Sequence, residues 1–178
     1  MAAPEIFDVV NRADEVIGAA TRASVHAKGL RHRSVHILVF NAAGELYMQR
    51  RSLDKDSAPG LWDTSAAGHV ETSESYDAAA RREVHEELGL GEDTELDRLF
   101  KLDACPATGY EFTWVYCCLA TTAVIPDPVE ILDGRWCEIE RLAKWVGRRP
   151  SEFTPTFHLI WSRLIENTGR VSAFFAHD

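Results

Sequence analysis

One stretch of 23 residues, from Gly68 to Leu90, constrains this chain more than any other part of the sequence. It reads GHVETSESYDAAARREVHEELGL, and four of its glutamates define the pattern by their spacing: Glu74, Glu83, Glu86 and Glu87. Ser75 is a favourable helix N-cap, the alanines at 78–80 are strong helix formers, and Gly89 suits the end of a helix. The stretch therefore predicts a helix from about Tyr76 to about Leu88.

The predicted helix places two of the glutamates next to its apolar side. At about 100° per residue, one apolar stripe runs along the helix, formed by Tyr76, Ala80, Val84 and Leu88. Glu87 falls within the width of this stripe and Glu83 at its edge, so both are expected to be partly buried. Like charges held together out of water repel unless positive charge compensates them. Arg82 supplies only one such charge, so we expect a divalent cation, and oxygen-only ligands favour Mg²⁺ with Mn²⁺ as the alternative.

The whole pattern resembles the signature of the Nudix hydrolase superfamily at every signature position. It consists of Gly68, Glu74 and the run Arg-Glu-Val-x-Glu-Glu-x-Gly-Leu at residues 82–90. The resemblance implies an α/β fold, an α/β/α sandwich with a mixed sheet, in which a loop and a helix bind Mg²⁺. It also implies an enzyme that cleaves a diphosphate linkage in a small molecule, such as a nucleoside diphosphate derivative.

The resemblance also implies roles for individual residues. Glu83 and Glu87 are the expected metal ligands, and Gly68 would offer its backbone carbonyl to the same ion. Glu86 is either a third ligand or the general base, and Glu130, in a later acidic loop, is a second candidate for the base. We expect two further residues, Glu74 and Arg82, to form an orienting salt bridge with each other or to support the ligand carboxylates.

A basic segment just upstream of the signature resembles one branch of the superfamily, the isopentenyl diphosphate isomerases. Arg50, Arg51 and Lys55 precede Pro59-Gly60-Leu61-Trp62 with the spacing of that branch, in which the residues matching Arg51 and Lys55 hold the diphosphate. Guanidinium and ammonium groups suit phosphate oxygens. Together with His69, these three basic residues are therefore the candidates for substrate binding.

The isomerase reaction is the first alternative function. That enzyme uses a cysteine, a glutamate in a later strand and a His/Glu metal site, because isomerisation requires a proton donor and a proton acceptor. Here Ala67 occupies the cysteine position, and the later glutamate positions fall near Phe112 and Trp114, with Glu111 next to them. His32 and His69 match metal histidines, and His26 is one residue out of register. We therefore favour a hydrolase.

A second alternative is a Nudix domain that binds a nucleotide without cleaving it. Such proteins lose signature carboxylates, and this chain keeps all of them. The net charge of −9 argues against sequence-independent nucleic-acid binding. No stretch has the apolar length of a membrane span or the pattern of a signal peptide, so we expect a cytoplasmic protein. The oligomeric state stays open between a monomer and a homodimer, because many relatives pair through the sheet or through N-terminal strands.

The remaining sequence predicts one domain over residues 1–178, which opens with a β-hairpin at 5–21. Residues 22–29 are expected to form a link of one helical turn. Further strands are predicted at 34–41, 45–51, 96–105, 111–121 and 134–138, and further helices at 139–146 and from Pro155, with Thr154 as the N-cap and Gly169 beyond the end. The adjacent Cys117 and Cys118 should point to opposite faces of their strand as reduced apolar residues.

Overall fold

The computed structural model describes residues 5–91 and 93–166. Its strands are β1 (Ile6–Val10), β2 (Val16–Thr21), β3 (His32–Phe40), β4 (Leu46–Arg51), β5 (Trp62–Asp63), β6 (Ala66–His69), β7 (Asp97–Leu102), β8 (Glu111–Leu119) and β9 (Ile131–Cys137). Its α-helices are α1 (Arg22–Lys28), α2 (Tyr76–Leu88), α3 (Ile139–Arg148) and α4 (Pro155–Glu166).

These strands form two sheets. The predicted N-terminal hairpin is confirmed, because β1 and β2 pair with each other in an antiparallel sheet of two strands. The main sheet has the order β5-β4-β3-β8-β7, with β6 added to β3 and β9 added to β4. Strands β3 and β8 run parallel, whereas the other pairs of the main sheet are antiparallel. The sheet is therefore mixed, as expected.

Helices cover both faces of the main sheet. On one face, α2 packs its small and branched residues against β3, in a cluster that includes Val35, Ile37 and Ala80. On the other face, α3 and α4 contribute to a second cluster that contains Leu38 and Phe40. This is the α/β/α sandwich that the resemblance implied. Cys117 belongs to the second cluster and Cys118 to the first, so their predicted opposite orientation is confirmed: Cys117 faces α3 and α4, and Cys118 faces α2.

The caps of two helices are also as predicted. Helix α2 begins where the Ser75 side chain accepts a hydrogen bond from the Ala78 N–H at 3.2 Å, and it ends at Gly89, whose φ of +65° is left-handed. Helix α4 begins after Thr154, whose hydroxyl accepts from the Phe157 N–H at 3.0 Å. The predicted end of α4 at Gly169 lies outside the described residues.

Apart from shifts of one to three residues at the ends of other elements, the structure differs from the sequence predictions in three places. The link after the hairpin is not one helical turn but the seven-residue helix α1, which the Thr21 side chain caps and Gly29 ends. Strand β9 begins at Ile131 rather than at Gly134, because its first residues pair with the end of β4. The short strands β5 and β6 were not predicted, since neither has enough residues to show an alternating pattern.

No helix within the described residues is both long and apolar enough to cross a membrane.

Candidate active site

Two glutamates of α2 lie buried side by side beneath the sheet. The exposed fraction is 8% for Glu83 and 4% for Glu87. Strand β6 passes directly over them, and a Cβ atom added to Gly68 would overlap the Glu83 carboxylate. Glycine at this position therefore lets the backbone of β6 approach the carboxylates closely.

Hydrogen bonds hold the Glu87 carboxylate in place. Its Oε2 accepts from the Ala67 backbone N–H at 3.1 Å and from the Gln49 side-chain amide at 3.3 Å. Burial, followed by the neighbouring charge of Glu83, raises the pKa of Glu87 to about 8, and burial also raises the pKa of Glu83. The two groups therefore favour a bound proton or cation over two bare charges.

Arg82 links several carboxylates around this pair. Its guanidinium donates to both oxygens of Glu74 at 3.0 Å, to Glu83 Oε1 at 2.6 Å and to Glu86 Oε2 at 3.3 Å. It also donates to the His69 carbonyl at 2.9 Å, which ties α2 to β6. Unlike its neighbours, the Glu86 side chain is 58% exposed. A single guanidinium therefore orients Glu83 while it leaves Glu86 open to solvent.

Lys55 and Glu130 form an ion pair between two loops near the buried glutamates. The Ser52 N–H donates to the Glu130 carbonyl at 3.0 Å, so backbone contacts join the same loops. Burial lowers the pKa of Lys55, although the negative charge of Glu87 acts to raise it. Arg51 begins this loop region, where its Nη1 lies 3.6 Å from Asp63 Oδ2. The structure therefore groups Lys55 and Glu130 with the carboxylate pair.

Arg50 is directed away from these groups. Along a strand successive side chains alternate between the two faces, and the preceding residue, Gln49, reaches Glu87. Arg50 instead donates from Nε to the Gly60 carbonyl at 2.8 Å and borders a cleft that contains Arg135. The structure thus separates Arg50 from the two basic residues with which the sequence grouped it.

A second polar cluster lies on the face of the sheet opposite α2. One ligand atom from each of its four residues lies within 4.8 Å of the others, and the residues are His26, His32, His69 and Glu111. The register of the sheet brings three of them together, because His32 pairs with Glu111 across β3 and β8, while Ser34 pairs with His69 across β3 and β6. Helix α1 adds His26, whose Nε2 lies 3.3 Å from His69 Nε2.

Hydrogen bonding determines the tautomer of His32. Its Nδ1 lies 2.9 Å from the Leu30 carbonyl, which only accepts, so Nδ1 carries the proton and Nε2 carries a lone pair. This Nε2 is buried without a hydrogen-bond partner among residues 5–91 and 93–166, at 3.5 Å from Glu111 Oε1. Burial alone would raise the pKa of Glu111, but the neighbouring imidazoles of His32 and His69 hold that pKa well below its usual range. An orphaned lone pair beside a carboxylate oxygen fits a divalent cation.

Strand β6 connects the two centres. Gly68 faces the glutamates of α2, whereas the His69 side chain belongs to the histidine cluster, and Ala67 bonds to Glu87 through its backbone N–H. In the sequence comparison with the isomerases, His26 and Glu111 each stood one residue away from an expected position. Both nevertheless lie in the cluster. Only the parallel pairing of β3 with β8 places Glu111 there, and the amino-acid pattern does not reveal that pairing.

Two residues near the site had no role in the sequence analysis. Gln49 contacts Glu87, and its place inside an alternating strand gave the only hint that it faces the core. Arg22 of α1 has a buried Nε that no described residue hydrogen-bonds, at 3.6 Å from Asp56 of the loop that carries Lys55. It adds a further cation to that side of the site.

The chain is similar to several known proteins. The family model described as NUDIX domain matches residues 30–157. An isopentenyl-diphosphate Delta-isomerase of Burkholderia multivorans is 33% identical over 161 residues, which cover 87% of this chain and 90% of that protein. The uncharacterized Nudix hydrolase YfcD of Escherichia coli is 42% identical over 90 residues, 51% of this chain and 50% of that protein.

Among solved structures, DR0079 of Deinococcus radiodurans superposes with a TM-score of 0.71 at 31% identity. The match covers 81% of this chain and 90% of that one.

Proposed function

Because the chain belongs to the Nudix family, we propose that it is a Mg²⁺-dependent hydrolase that cleaves a diphosphate linkage in a small molecule, with nucleoside diphosphate derivatives as the substrate class. One observation carries the proposal: Glu83 and Glu87 are buried together beneath Gly68, where two carboxylates need a cation. The single guanidinium of Arg82 neutralises only part of that charge.

The donor set of this centre fits Mg²⁺. Glu83 and Glu87 offer carboxylate oxygens, the Gly68 carbonyl adds another oxygen, and Mn²⁺ suits the same ligands. When bound, such an ion withdraws charge from the phosphate oxygens and lowers the pKa of the attacking water.

The protein's own residues orient and support this centre. Gln49 and the Ala67 N–H orient Glu87, and Arg82 orients Glu83 while Glu74 holds Arg82 in position. Ligand carboxylates that are held in this way lose less freedom when a cation binds.

Two carboxylates are candidates for the general base. Glu86 is exposed one turn from Arg82, so it can accept a proton from water at the mouth of the site. Glu130 is the alternative, but its ion pair with Lys55 occupies it in this structure. Lys55 and Arg51 would bind phosphate oxygens of the substrate. If the Lys55 ammonium exchanged Glu130 for a phosphate oxygen, the Glu130 carboxylate would be free to act as the base.

The test is hydrolysis of a panel of nucleoside diphosphate derivatives, dinucleotides and isoprenoid diphosphates, with Mg²⁺ and with EDTA. We expect turnover of at least one nucleoside diphosphate derivative that needs Mg²⁺ and falls by orders of magnitude in Glu83→Gln and in Glu87→Gln. Glu140→Gln, an exposed position on α3, is the matched control and should keep full activity. Activity that survives EDTA or either of the first two substitutions would refute the proposal.

A second candidate function is an isomerase of small diphosphates. The histidine cluster favours it, since three imidazoles and one carboxylate suit a second divalent ion, and a relative bears that name. Ala67 argues against it, because a methyl group cannot donate or accept a proton. Incubation with isopentenyl diphosphate decides between the two: accumulation of the allylic isomer at enzymic rates would favour the isomerase.

The setting in which the enzyme works is part of the same proposal. We infer action in the cytoplasm on a small diphosphate rather than on nucleic acid, in line with the net charge of −9. Light scattering in solution would decide between a monomer and a homodimer.

A further inference from the structure

A cleft with three arginines lies on the side of β4 opposite Gln49, away from the glutamates of α2. Its walls come from β4, β5, β9, α3 and the turn before α4. We refer to it as the arginine cleft and define it by six residues: Arg50, Trp62, Arg135, Trp145, Arg149 and Glu152. The cavity measures about 390 Å³, within the range of small-ligand sites.

The structure holds each of the three guanidinium groups in position. Arg50 donates from Nε to the Gly60 carbonyl at 2.8 Å, and Arg149 donates to Glu152 Oε1 at 3.1 Å. Arg135 donates to Asp133 at 2.8 Å. Each contact uses one of the several N–H donors that a guanidinium carries.

Aromatic rings also support Arg135. Its guanidinium carbon lies 4.3 Å from the centre of the Trp62 ring and 5.5 Å from that of Trp145, which is cation–π geometry. The rings themselves are anchored, because Trp145 Nε1 donates to Glu152 at 2.7 Å and the Trp62 carbonyl accepts from the Thr154 N–H at 3.0 Å. Cationic groups that are already positioned lose little entropy when they bind a ligand.

The charge balance of the cleft differs from that of the whole chain. Three guanidinium groups face one carboxylate, Glu152, in a protein whose net charge is −9. The second acidic partner, Asp133, offsets only one further charge. Excess positive charge gathered around a cavity attracts an anion, and planar guanidinium groups match phosphate oxygens in particular.

We propose that the arginine cleft binds the phosphate group of a small phosphate monoester, at a site separate from the carboxylate centre. The occupant is recognised through its phosphate, which takes donors from Arg50, Arg135 and Arg149 that no residue described in the structure occupies. The proposal does not depend on the hydrolytic function, because Arg135 and Arg149 contact none of the groups assigned to catalysis.

The test is NMR titration of the full-length protein in EDTA, with the indole N–H of Trp145 as the reporter and Trp145→Phe to assign its signal. The probes are inorganic phosphate, adenosine monophosphate and adenosine. We expect both phosphate-bearing probes to shift this signal saturably and adenosine to leave it unchanged. Arg135→Gln and Arg149→Gln should each raise the dissociation constant about tenfold, which matches the loss of one charge-assisted contact.

Arg141→Gln is the matched control, since Arg141 is an exposed arginine of α3 outside the cleft. It should leave the dissociation constants as they are in the wild type. If Arg135→Gln disturbs folding, Arg149→Gln still tests the idea, because that side chain is 70% exposed. The proposal is overturned if neither phosphate probe shifts the Trp145 signal, if adenosine shifts it equally, or if Arg149→Gln binds as tightly as Arg141→Gln.

Discussion

Replacement of Glu87 by glutamine should stabilise the metal-free protein while it abolishes turnover. The buried carboxylate has a pKa of about 8, against a usual value of 4.5. Between these values the folded chain binds a proton that the unfolded chain has already released, so the free energy of unfolding falls as the pH rises. Glutamine keeps an oxygen that can accept from Ala67 and Gln49, but it carries no charge to bury.

The size of this effect follows from the two pKa values. Linkage gives a gain for Glu87→Gln close to zero at pH 4, about 3 kcal/mol at pH 7 and about 5 kcal/mol at pH 9. These are upper values, because Glu83 and Lys55 titrate together with Glu87. The gain in the free energy of unfolding should therefore grow between about pH 4.5 and pH 8 and level off above that.

Urea unfolding in EDTA, at several pH values, measures the gain directly. Glu86→Gln is the control, since its exposed carboxylate carries little burial cost and should change the stability by less than about 1 kcal/mol. Added Mg²⁺ should stabilise the wild type and not Glu87→Gln. A Glu87→Gln protein that is less stable than the wild type at pH 8, or whose gain is the same at every pH, would refute the reasoning.

Three further predictions concern other parts of the site. Gly68→Ala brings a Cβ into the Glu83 carboxylate and should lower kcat/KM about 100-fold or more in a Mg²⁺-dependent hydrolysis assay. Gly147→Ala meets open space and should leave kcat/KM unchanged, so equal losses would contradict the steric argument. His32→Ala should reduce the Co²⁺ bound at equilibrium by one ion per chain, measured by metal analysis, and an unchanged stoichiometry would remove the histidine cluster as a metal site. Lys55→Ala should raise KM about tenfold with little change in Tm, and an unchanged KM would exclude Lys55 from phosphate binding.

Helix α2 was predictable because its signals are local. The Ser75 cap, the alanine run and Gly89 lie within one segment, and the helical period alone places Glu83 and Glu87 beside the apolar stripe. The ion pair of Arg82 with Glu74 followed from the same segment. For these features, neighbouring residues along the chain determine the geometry.

The histidine cluster and the arginine cleft depend instead on long-range pairing. Glu111 joins the histidines only because β8 pairs parallel to β3 in one particular register. Trp62 and Arg135 lie beside Arg50 only because β4 pairs with β5 and with β9. Lys55 meets Glu130 through contacts between two loops. A single sequence contains no local signal for any of these arrangements.

The most direct measurement of the central claim is anomalous diffraction from a crystal soaked in MnCl₂, with Mn²⁺ standing in for Mg²⁺. We expect an anomalous peak within coordination distance of carboxylate oxygens of Glu83 and Glu87 and of the Gly68 carbonyl. Diffraction that resolves both side chains clearly, with no peak beside them at saturating Mn²⁺, would contradict the assignment of these buried carboxylates as a metal site.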